Sequence, residues 1–507
     1  MNDPNERLGA LISELRQLRG LTQTEFAKQL NTSQSAVNRI EKGGQNLSLD
    51  MLSRISEVLQ KPLIAVGGQG VNLRIEGGKE LSGEVTLKTS KNAAVGLLCA
   101  SLLNKGTTLF KAFPRIEEVF RIIEVLESIG VKVRWLNGND LEIKRPAVLK
   151  LDKLDSKAAR RTRSVLMLIG PLMHEFESFK IPYAGGCKLG ERTVQPHLFG
   201  LEDLGVDIVA KNKYYQISSK PKQTERVVLY ESGDTVTENV AMAASRIPGK
   251  TTIQFASGNY MVQDVCGYLQ ELGVEINGVG TANLTITGVS RDIKKDVVYY
   301  PAEDPIEAMF FVSAAVTTNS EITINRVPID FMSLEILKLK KMGVRFTETK
   351  RYKAKNGFMD LIDLTVHKHN GNLSALNDKI HANVYPGLNQ DNLPYYVPIC
   401  AIAKGRTLIH DWTYENRAIY YTELTKIGAQ VELADPHRVY VTGPTKFTKA
   451  DLVCPPALRP ASLLLIGMLA APGTSMLRNV YTINRGYEDI ANRLNQIGAE
   501  IEVINEF

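Results

Sequence analysis

The chain has 507 residues, too many for one hydrophobic core, and its 44% apolar and 23% charged content excludes a disordered or fibrous protein. Residues 1–7 are polar, and the longest apolar run, 462–471, is about half of the roughly 20 residues a membrane span needs, so a cytoplasmic protein without a membrane partner is expected. Five cysteines (Cys99, Cys187, Cys266, Cys400, Cys454) without CxxC or ligand spacing argue against a disulfide framework and a zinc site, and a net charge of +6 suits an anionic ligand or nucleic acid without requiring either.

The first 66 residues read as short amphipathic helices. Leu8, Leu11, Ile12, Leu15 and Leu18 recur at helical spacing, and Gly20 stops that helix. Thr22 can cap the next helix, 23–30, with Glu25 completing a capping box. Thr32 or Ser33 caps a third, 34–42, which Gly43-Gly44 ends, and a fourth spans 49–59. Two short helices joined by a tight turn form a helix-turn-helix arrangement, with Gln34, Ser35, Asn38 and Arg39 on the polar side of the second and Gln23 opening the first. Such side chains suit base edges and phosphates. With 8 basic and 7 acidic residues before residue 67, the electrostatic footprint for DNA is weak, and a four-helix interaction domain is the alternative. The run Leu21-Thr22-Gln23-Thr24-Glu25-Phe26-Ala27 with Ser33-Gln34-Ser35-Ala36-Val37-Asn38-Arg39 resembles the phage-repressor-like helix-turn-helix family. That resemblance implies double-stranded DNA as a partner of residues 1–66, contacted by Gln23, Gln34, Ser35, Asn38 and Arg39, and a homodimer to cover both half-sites. Residues 67–70, Gly-Gly-Gln-Gly, read as a linker.

One phrase recurs through the rest of the chain: Leu-x-x-(Ile/Leu/Met)-Gly-(Val/Ala)-x-(Val/Ile/Phe). It begins at Leu126, Leu201, Leu269, Leu339, Leu424 and Leu494, at intervals of 68 to 85 residues. Each copy reads as a helix end, a C-terminal glycine and a strand. A second, more apolar helix lies upstream of each, at 92–103, 163–173, 237–245, 305–316, 394–403 and 461–470, and strands follow several of these, as at 251–255, 321–325 and 407–410. Six helix-strand-helix-strand units exceed one core, so two domains of three units are expected. The plan resembles the enolpyruvyl transferases. The resemblance implies an α/β (α+β) fold with two inside-out α/β barrel domains built from six repeated units, behind a small all-α helix-turn-helix domain. By analogy one domain takes 71–89 and 304–507 and the other 90–303, with a catalytic loop at 183–193.

Three glycines within six residues surround Cys187 in Ala184-Gly185-Gly186-Cys187-Lys188-Leu189-Gly190-Glu191-Arg192, which suggests a loop, and Lys188 and Arg192 would favour a thiolate. Composition leaves an incidental cysteine in a surface turn equally open. The segment is similar to the catalytic loop of the sugar-nucleotide branch of the enolpyruvyl transferases, which implies a catalytic Cys187. Lys91 stands at a helix start, where a cation is misplaced unless an anion joins it. Thr89-Ser90-Lys91-Asn92 resembles the family's Lys-Asn pair, implying that Lys91 binds phosphoenolpyruvate and Asn92 the acceptor. Arg163, Arg192, Arg417, Arg459 and Arg485 each read singly as surface arginines, and bidentate guanidinium contacts suit phosphate and carboxylate alike. The resemblance implies that Arg192, Arg459 and Arg485 join Lys91 on phosphoenolpyruvate, and that Arg163, Arg417 and Gln195 join Asn92 on the acceptor. Asp391, in Pro386-Gly387-Leu388-Asn389-Gln390-Asp391, reads alone as a turn former and by resemblance as the catalytic base.

The reaction implied is addition of an acceptor hydroxyl to phosphoenolpyruvate followed by loss of phosphate, with no metal or organic cofactor. The acceptor implied is the 3-hydroxyl of UDP-N-acetylglucosamine, in peptidoglycan precursor synthesis for the cell wall, and the epoxide fosfomycin would then target Cys187. Departures from the family pattern fall on the nucleotide side. An Arg-Pro-Val-Asp run stands here as Arg192-Thr193-Val194-Gln195, and a Ser-Val-Gly-Ala segment that receives a diphosphate stands as Glu231-Ser232-Gly233-Asp234. Ala457 replaces an acidic residue and Pro305 an arginine. Two other readings therefore stay open: the same chemistry on another nucleotide or nucleotide-sugar acceptor, or a ligand-sensing transcription regulator with an inactive transferase body.

Overall fold

Capping chemistry starts the front helices where the sequence puts its polar punctuation. The computed structural model describes residues 9, 12–13, 15–16, 21–44, 47, 49–59, 70–183, 194–290 and 292–506. They form two compact units, one within 1–72 and 503–507, the other 73–502. In the first, Thr22 Oγ1 accepts from the Glu25 amide at 3.2 Å while the Thr22 amide donates to Glu25 Oε2 at 2.8 Å, closing the capping box on helix Gln23–Gln29. Ser33 Oγ accepts from the Ala36 amide to start Gln34–Glu41, and Leu49–Leu59 follows. The expected end residues Leu30 and Lys42 are the C-caps. Ile12, Leu15, Phe26, Leu30, Val37, Ile40, Ile55 and Leu59 make the core. Arg16 pairs with Glu41 inside it at 2.5 Å, and Ser13 and Gln23 also donate to that carboxylate. Leu8, Leu11, Leu18 and residues 67–69 of the expected linker lie outside the described residues; Gly70, the last residue of that linker, instead opens the strand Gly70–Gly77.

In the second unit all six repeat phrases form the same corner. A helix ends, a glycine takes positive φ (Gly130 98°, Gly205 89°, Gly273 93°, Gly343 102°, Gly428 94°, Gly498 93°), and a strand begins within three residues. Only glycine takes that backbone without penalty, which is why the spacing was visible in sequence.

The upstream helices are the core. In Pro305–Thr317 every residue is buried, in Lys91–Ala100 every residue from Ala93 on, and in Leu458–Ala470 nearly all. A helix apolar on all sides has to be covered on all sides. Pro305–Thr317 packs on Tyr396–Ile402 and Leu458–Ala470, while Lys91–Ala100 and Asp234–Ala244 both pack on Tyr260–Glu271. Among the described residues, six small sheets surround these helices. Three use only strands between residues 90 and 303: one on Thr107–Phe110, one on Tyr214–Ser219, one on Gly249–Gln254. The other three are built on Glu321–Val327, Gly405–His410 and Gly473–Arg478. Each is open, with no pairing among the described strands that closes a sheet into a ring. The fold is mixed α/β with helices inside and sheets outside. The chain passes between the two groups of strands at two adjacent places, where the Ser90 amide donates to Ala302 O and the Asp304 amide to Lys88 O.

One expected helix differs. Residues 163–173 run as a 3-10 turn, Arg163–Leu168, and become α-helical only over Ile169–Leu172. Pro171 has no N–H to give the Met167 carbonyl, so an α ladder cannot run through this turn. No helix among the described residues is long and apolar enough to cross a membrane.

The repeated glycines can be graded. A Cβ at Gly130 would meet only the Pro146 ring at 3.5 Å, whereas one at Gly205 would stand 2.0 Å from the Lys220 carbonyl oxygen. Gly130→Ala should therefore cost about 1 kcal/mol, for φ alone, and Gly205→Ala at least about 2–3 kcal/mol. Equal shifts of the two variants in thermal unfolding would reject this reading.

Candidate active site

A cavity of about 930 Å³ opens in the 73–502 unit, and Lys91, Arg163, Asp234 and Asp391, all at or beside the starts of central helices, are on its wall. Ser90 caps the first of these helices, accepting from the Asn92 and Ala93 amides, and its hydroxyl meets Tyr260 Oη at 3.0 Å. This fixes Lys91 as the first helical residue, half-buried, with Asn92 beside it on the wall.

Lys91 belongs to a cluster of alternating charge. Burial pushes its ammonium below the usual lysine range, Glu118 and Asp391 oppose that shift, and Arg459 and Arg485 reinforce it. Glu118, in the first turn of Glu117–Ser128, accepts from Thr162 Oγ1 at 2.7 Å and from Arg485 Nε and Nη2 at 2.9 and 2.7 Å. Burial alone would raise its carboxyl, but Lys91, Arg485 and the Thr162 hydroxyl hold it below the usual range. Arg459, the second residue of Leu458–Ala470, gives Nη1 to Tyr487 Oη at 2.9 Å and brings Nη2 to 3.5 Å from Asp391 Oδ2. Tyr487 in turn meets Tyr395 Oη, which meets Ser462 Oγ.

Asp391 is braced from the other side as well. Arg417 Nη1 lies 3.5 Å from Asp391 Oδ1, and Tyr414 Oη donates to the same oxygen at 3.3 Å. Arg417 itself is fully buried, gives two N–H groups to Asp411 at 2.5 and 2.8 Å and one to the Gln390 carbonyl at 2.6 Å, and stacks on Tyr414 at 3.8 Å. Tyr421 Oη also donates to Asp411. The expectation that Arg417 reaches the acceptor thus meets a different arrangement: the guanidinium sits behind the wall and fixes the Gln390–Asp391 turn, because Asp411 satisfies it there.

On the remaining wall stand Asn92, Arg163, Pro196, His197, Glu231, Asp234, Phe331, Tyr385, Trp412 and Glu415. Gln195, expected on the acceptor, is exposed at the start of Gln195–Glu202, and the wall is made by its neighbours Pro196 and His197. His197 is held neutral: burial first, then Arg163, push it down to about 4, and Asn239 and Thr235 meet its ring nitrogens. Asp234 opens helix Asp234–Ala244, where an acid complements the dipole, and turns its carboxylate to Ser257 Oγ at 2.6 Å and Asn259 Nδ2 at 3.2 Å. Burial pushes that carboxyl up.

The structure thus brings Lys91, Asn92, Arg163, Asp391, Arg459 and Arg485 to one place. Cys187, Lys188 and Arg192 lie outside the described residues. Cys99, Cys266 and Cys400 are buried as expected, and burial pushes the Cys266 and Cys400 thiols up to about 12. Glu118, Asp411 and Trp412 were missed by sequence reading; only Glu118 carried a signal, as an acid in the first turn of an amphipathic helix. In the front unit, Gln34, Ser35 and Arg39 are exposed and Asn38 half-exposed, while Gln34 donates to Gln23 Oε1 at 2.7 Å.

The model of EPSP synthase (3-phosphoshikimate 1-carboxyvinyltransferase) matches residues 75–494, and a helix-turn-helix model matches residues 12–65. The chain belongs to the EPSP synthase family and is an enolpyruvyl transferase with an N-terminal helix-turn-helix domain. It is 30% identical over 434 residues to a UDP-N-acetylglucosamine 1-carboxyvinyltransferase of Campylobacter jejuni, covering 86% of this chain and 99% of that one. It is 32% identical over 437 residues to the same enzyme of Bacteroides fragilis, covering 84% and 98%. The enolpyruvyl transferase NikO from Streptomyces tendae shares the fold with a TM-score of 0.72 at 21% identity, over 86% of this chain and all of that one.

The buried pair behind Asp391 gives a stability test. Asp411→Asn would take from Arg417 its closest and fully buried counter-ion, leaving only the longer contact with Asp391, and should cost about 3–5 kcal/mol. Arg406→Ala, at an exposed pair with Glu432, should cost under about 1 kcal/mol. Comparable melting temperatures for the two variants would contradict the role given to Asp411.

Proposed function

We propose that this protein transfers the enolpyruvyl group of phosphoenolpyruvate to the 3-hydroxyl of UDP-N-acetylglucosamine, releasing phosphate. One observation carries this reading: Lys91, Arg459 and Arg485 gather beside a carboxylate, Asp391, that two arginines and a tyrosine hold in place. Three cations suit a substrate with both phosphate and carboxylate, and a fixed carboxylate suits removal of a proton from an attacking hydroxyl. The hydroxyl oxygen adds to C2 of phosphoenolpyruvate as C3 gains a proton, and the C2–O bond to phosphate then breaks as C3 loses one. Asp391 moves the hydroxyl and C3 protons; Cys187 acts as general acid or forms a covalent adduct at C2. Asn92 and Arg163 bind the acceptor. The domain partition is 71–89 with 304–507 against 90–303, and cleft closure excludes water.

A second acceptor is favoured by one specific observation. Asp234 and Glu231 stand on the wall at a helix start, where a diphosphate would otherwise find free amides and a favourable dipole. An acceptor carrying fewer phosphates, such as another nucleotide, avoids that like-charge contact. Phosphate release from phosphoenolpyruvate with a panel of UDP-sugars and free nucleotides decides between them. Silence across the whole panel would leave the sensing role.

Two further outcomes are expected. Fosfomycin should alkylate Cys187, phosphoenolpyruvate should modulate the labelling, and Cys187→Ser should lose most turnover. Peptide mass analysis placing the label on Cys99 or Cys400 would end that assignment. Lys91→Ala and Arg485→Ala should each weaken phosphoenolpyruvate use by about 2–4 kcal/mol, while Lys220→Ala, at an exposed loop position, should change little. Equal kinetic effects in all three would be decisive against the cluster.

The helix-turn-helix unit binds double-stranded DNA as a pair of copies, with Gln34, Ser35, Asn38 and Arg39 facing the groove and Gln23 orienting Gln34. The Gly67-Gly68-Gln69-Gly70 run favours loose tethering, so both transferase ligands together should change DNA affinity by less than tenfold, about 1.4 kcal/mol. A chain starting at Val71 should keep turnover. A larger ligand effect on DNA titration, or an inactive shortened chain, would overturn this.

A further inference from the structure

The donor cluster contains an acid that the reaction as drawn does not use. Glu118 is on the cavity wall and 7% exposed, with one oxygen on Thr162 and the other on Arg485. Its two partners come from different parts of the chain. Thr162 precedes Arg163, whereas Arg485 belongs to the segment 481–488, which is bolted to the Glu118 region at two more points. Tyr481 Oη donates to Glu117 Oε1 at 3.1 Å, and Glu488 accepts from the Arg115 amide at 2.9 Å and Asn139 Nδ2 at 2.7 Å. Arg485 is therefore held within reach of the cavity even if its own contact with Glu118 changes.

We propose that Glu118 is the resident counter-ion of the donor's anion site: it balances Lys91 and Arg485 before the donor arrives and competes with the donor's phosphate or carboxylate for them. This rests on the reading of these cations as donor ligands. A polyanion entering the cluster meets Lys91, Arg459 and Arg485 but also the charges of Glu118 and Asp391. Asp391 is required by the chemistry, and Glu118 is not. What Glu118 provides is a bound ground state for two cations that would otherwise repel each other across a partly dry wall, and a weaker hold on the donor and on released phosphate. Glu118 is a positioning residue that sets donor affinity against turnover.

The test uses the full chain and inorganic phosphate as the probe. E118Q should bind phosphate about tenfold more tightly by calorimetry. With phosphoenolpyruvate, its KM and kcat should fall together, because product phosphate leaves more slowly. E124Q, on the same helix and at an exposed pair with Arg121, should match the wild type. A role confined to bracing Arg485 predicts the opposite sign, so weaker or unchanged phosphate binding in E118Q overturns the proposal. Should E118Q fail to fold, E118D carries the test. Its shorter arm loosens the Arg485 contact and should tighten phosphate by about threefold, and a loss of affinity is again fatal. Phosphate binding needs no turnover. Tighter binding in E118Q, together with no reaction of phosphoenolpyruvate in the unsubstituted chain, would therefore refute the proposed function and leave this inference standing.

Discussion

Helices that are apolar on every face constrain everything else in the 73–502 unit. Such a helix can have neighbours on all sides but can present polar groups only at its ends. Five of the six central helices begin at or next to a charged residue: Lys91, Arg163, Asp234, Asp304 and Arg459. Asp391 immediately precedes Asn392, the cap of the 3-10 turn Leu393–Tyr395 that starts the remaining one. Four of these residues line one cavity, and Arg459 reaches Asp391 from behind its wall. Chemistry sits at helix starts because positions further along are packed on all sides; Glu238, in the middle of Asp234–Ala244, is buried and pushed far toward its neutral form.

That arrangement carries an electrostatic bias and its compensation. Helix N-termini add positive partial charge to the lysine and arginines already there, which favours anionic ligands. Unopposed, the same field would destabilise the empty cavity. The structure answers with acids placed against individual cations: Glu118 on Arg485, Asp411 on Arg417, Asp391 between Arg417 and Arg459. Where burial outweighs the available cations, the acid shifts toward its neutral form. Asp304 is pushed up to about 6 by burial and by Glu307, despite Arg459. The cavity is thus a set of locally matched pairs whose members differ in how readily they can be exchanged for a ligand. Arg417 gives its shortest hydrogen bonds to buried Asp411 and to the Gln390 carbonyl, while Arg485 faces a partner that is itself on the wall.

How much of this was legible in sequence follows from the range of the interactions. The six-unit plan was visible because a positive-φ glycine is a one-residue requirement repeated at six equivalent corners. The capping box at Thr22 and Glu25 was visible for the same reason: both partners lie within one turn. The contacts of Arg417 were not legible, because they depend on Asp411, which reaches it across a loop, and on the Gln390 carbonyl 27 residues away in sequence. Glu118 could not be distinguished from an ordinary first-turn acid, since the residue that gives it meaning, Arg485, is 367 residues downstream. The expected helix 163–173 gives way to a 3-10 turn over Arg163–Leu168, ahead of Pro171, whose missing donor is a local fact that the apolar periodicity outweighed.

The same geometry explains how one family framework can keep a reaction and change an acceptor. Under the proposed function, donor chemistry draws on residues from several helix starts acting on a few atoms, and these residues are tied to one another through shared ions. Replacing one upsets the charge balance of all. The acceptor wall has no such closure. Asp234 gives its carboxylate to Ser257 and Asn259 rather than to the cations around Lys91, and Gln195 is exposed. Under the proposed function, substitutions there would change the shape and charge that face the acceptor without breaking the ion pairs that join Asp391, Arg459 and Arg485 to their neighbours. Departures from the family pattern concentrated at 192–195 and 231–234 are therefore the ones the fold can absorb most easily, and the acceptor is the part of the reaction that their charge should control.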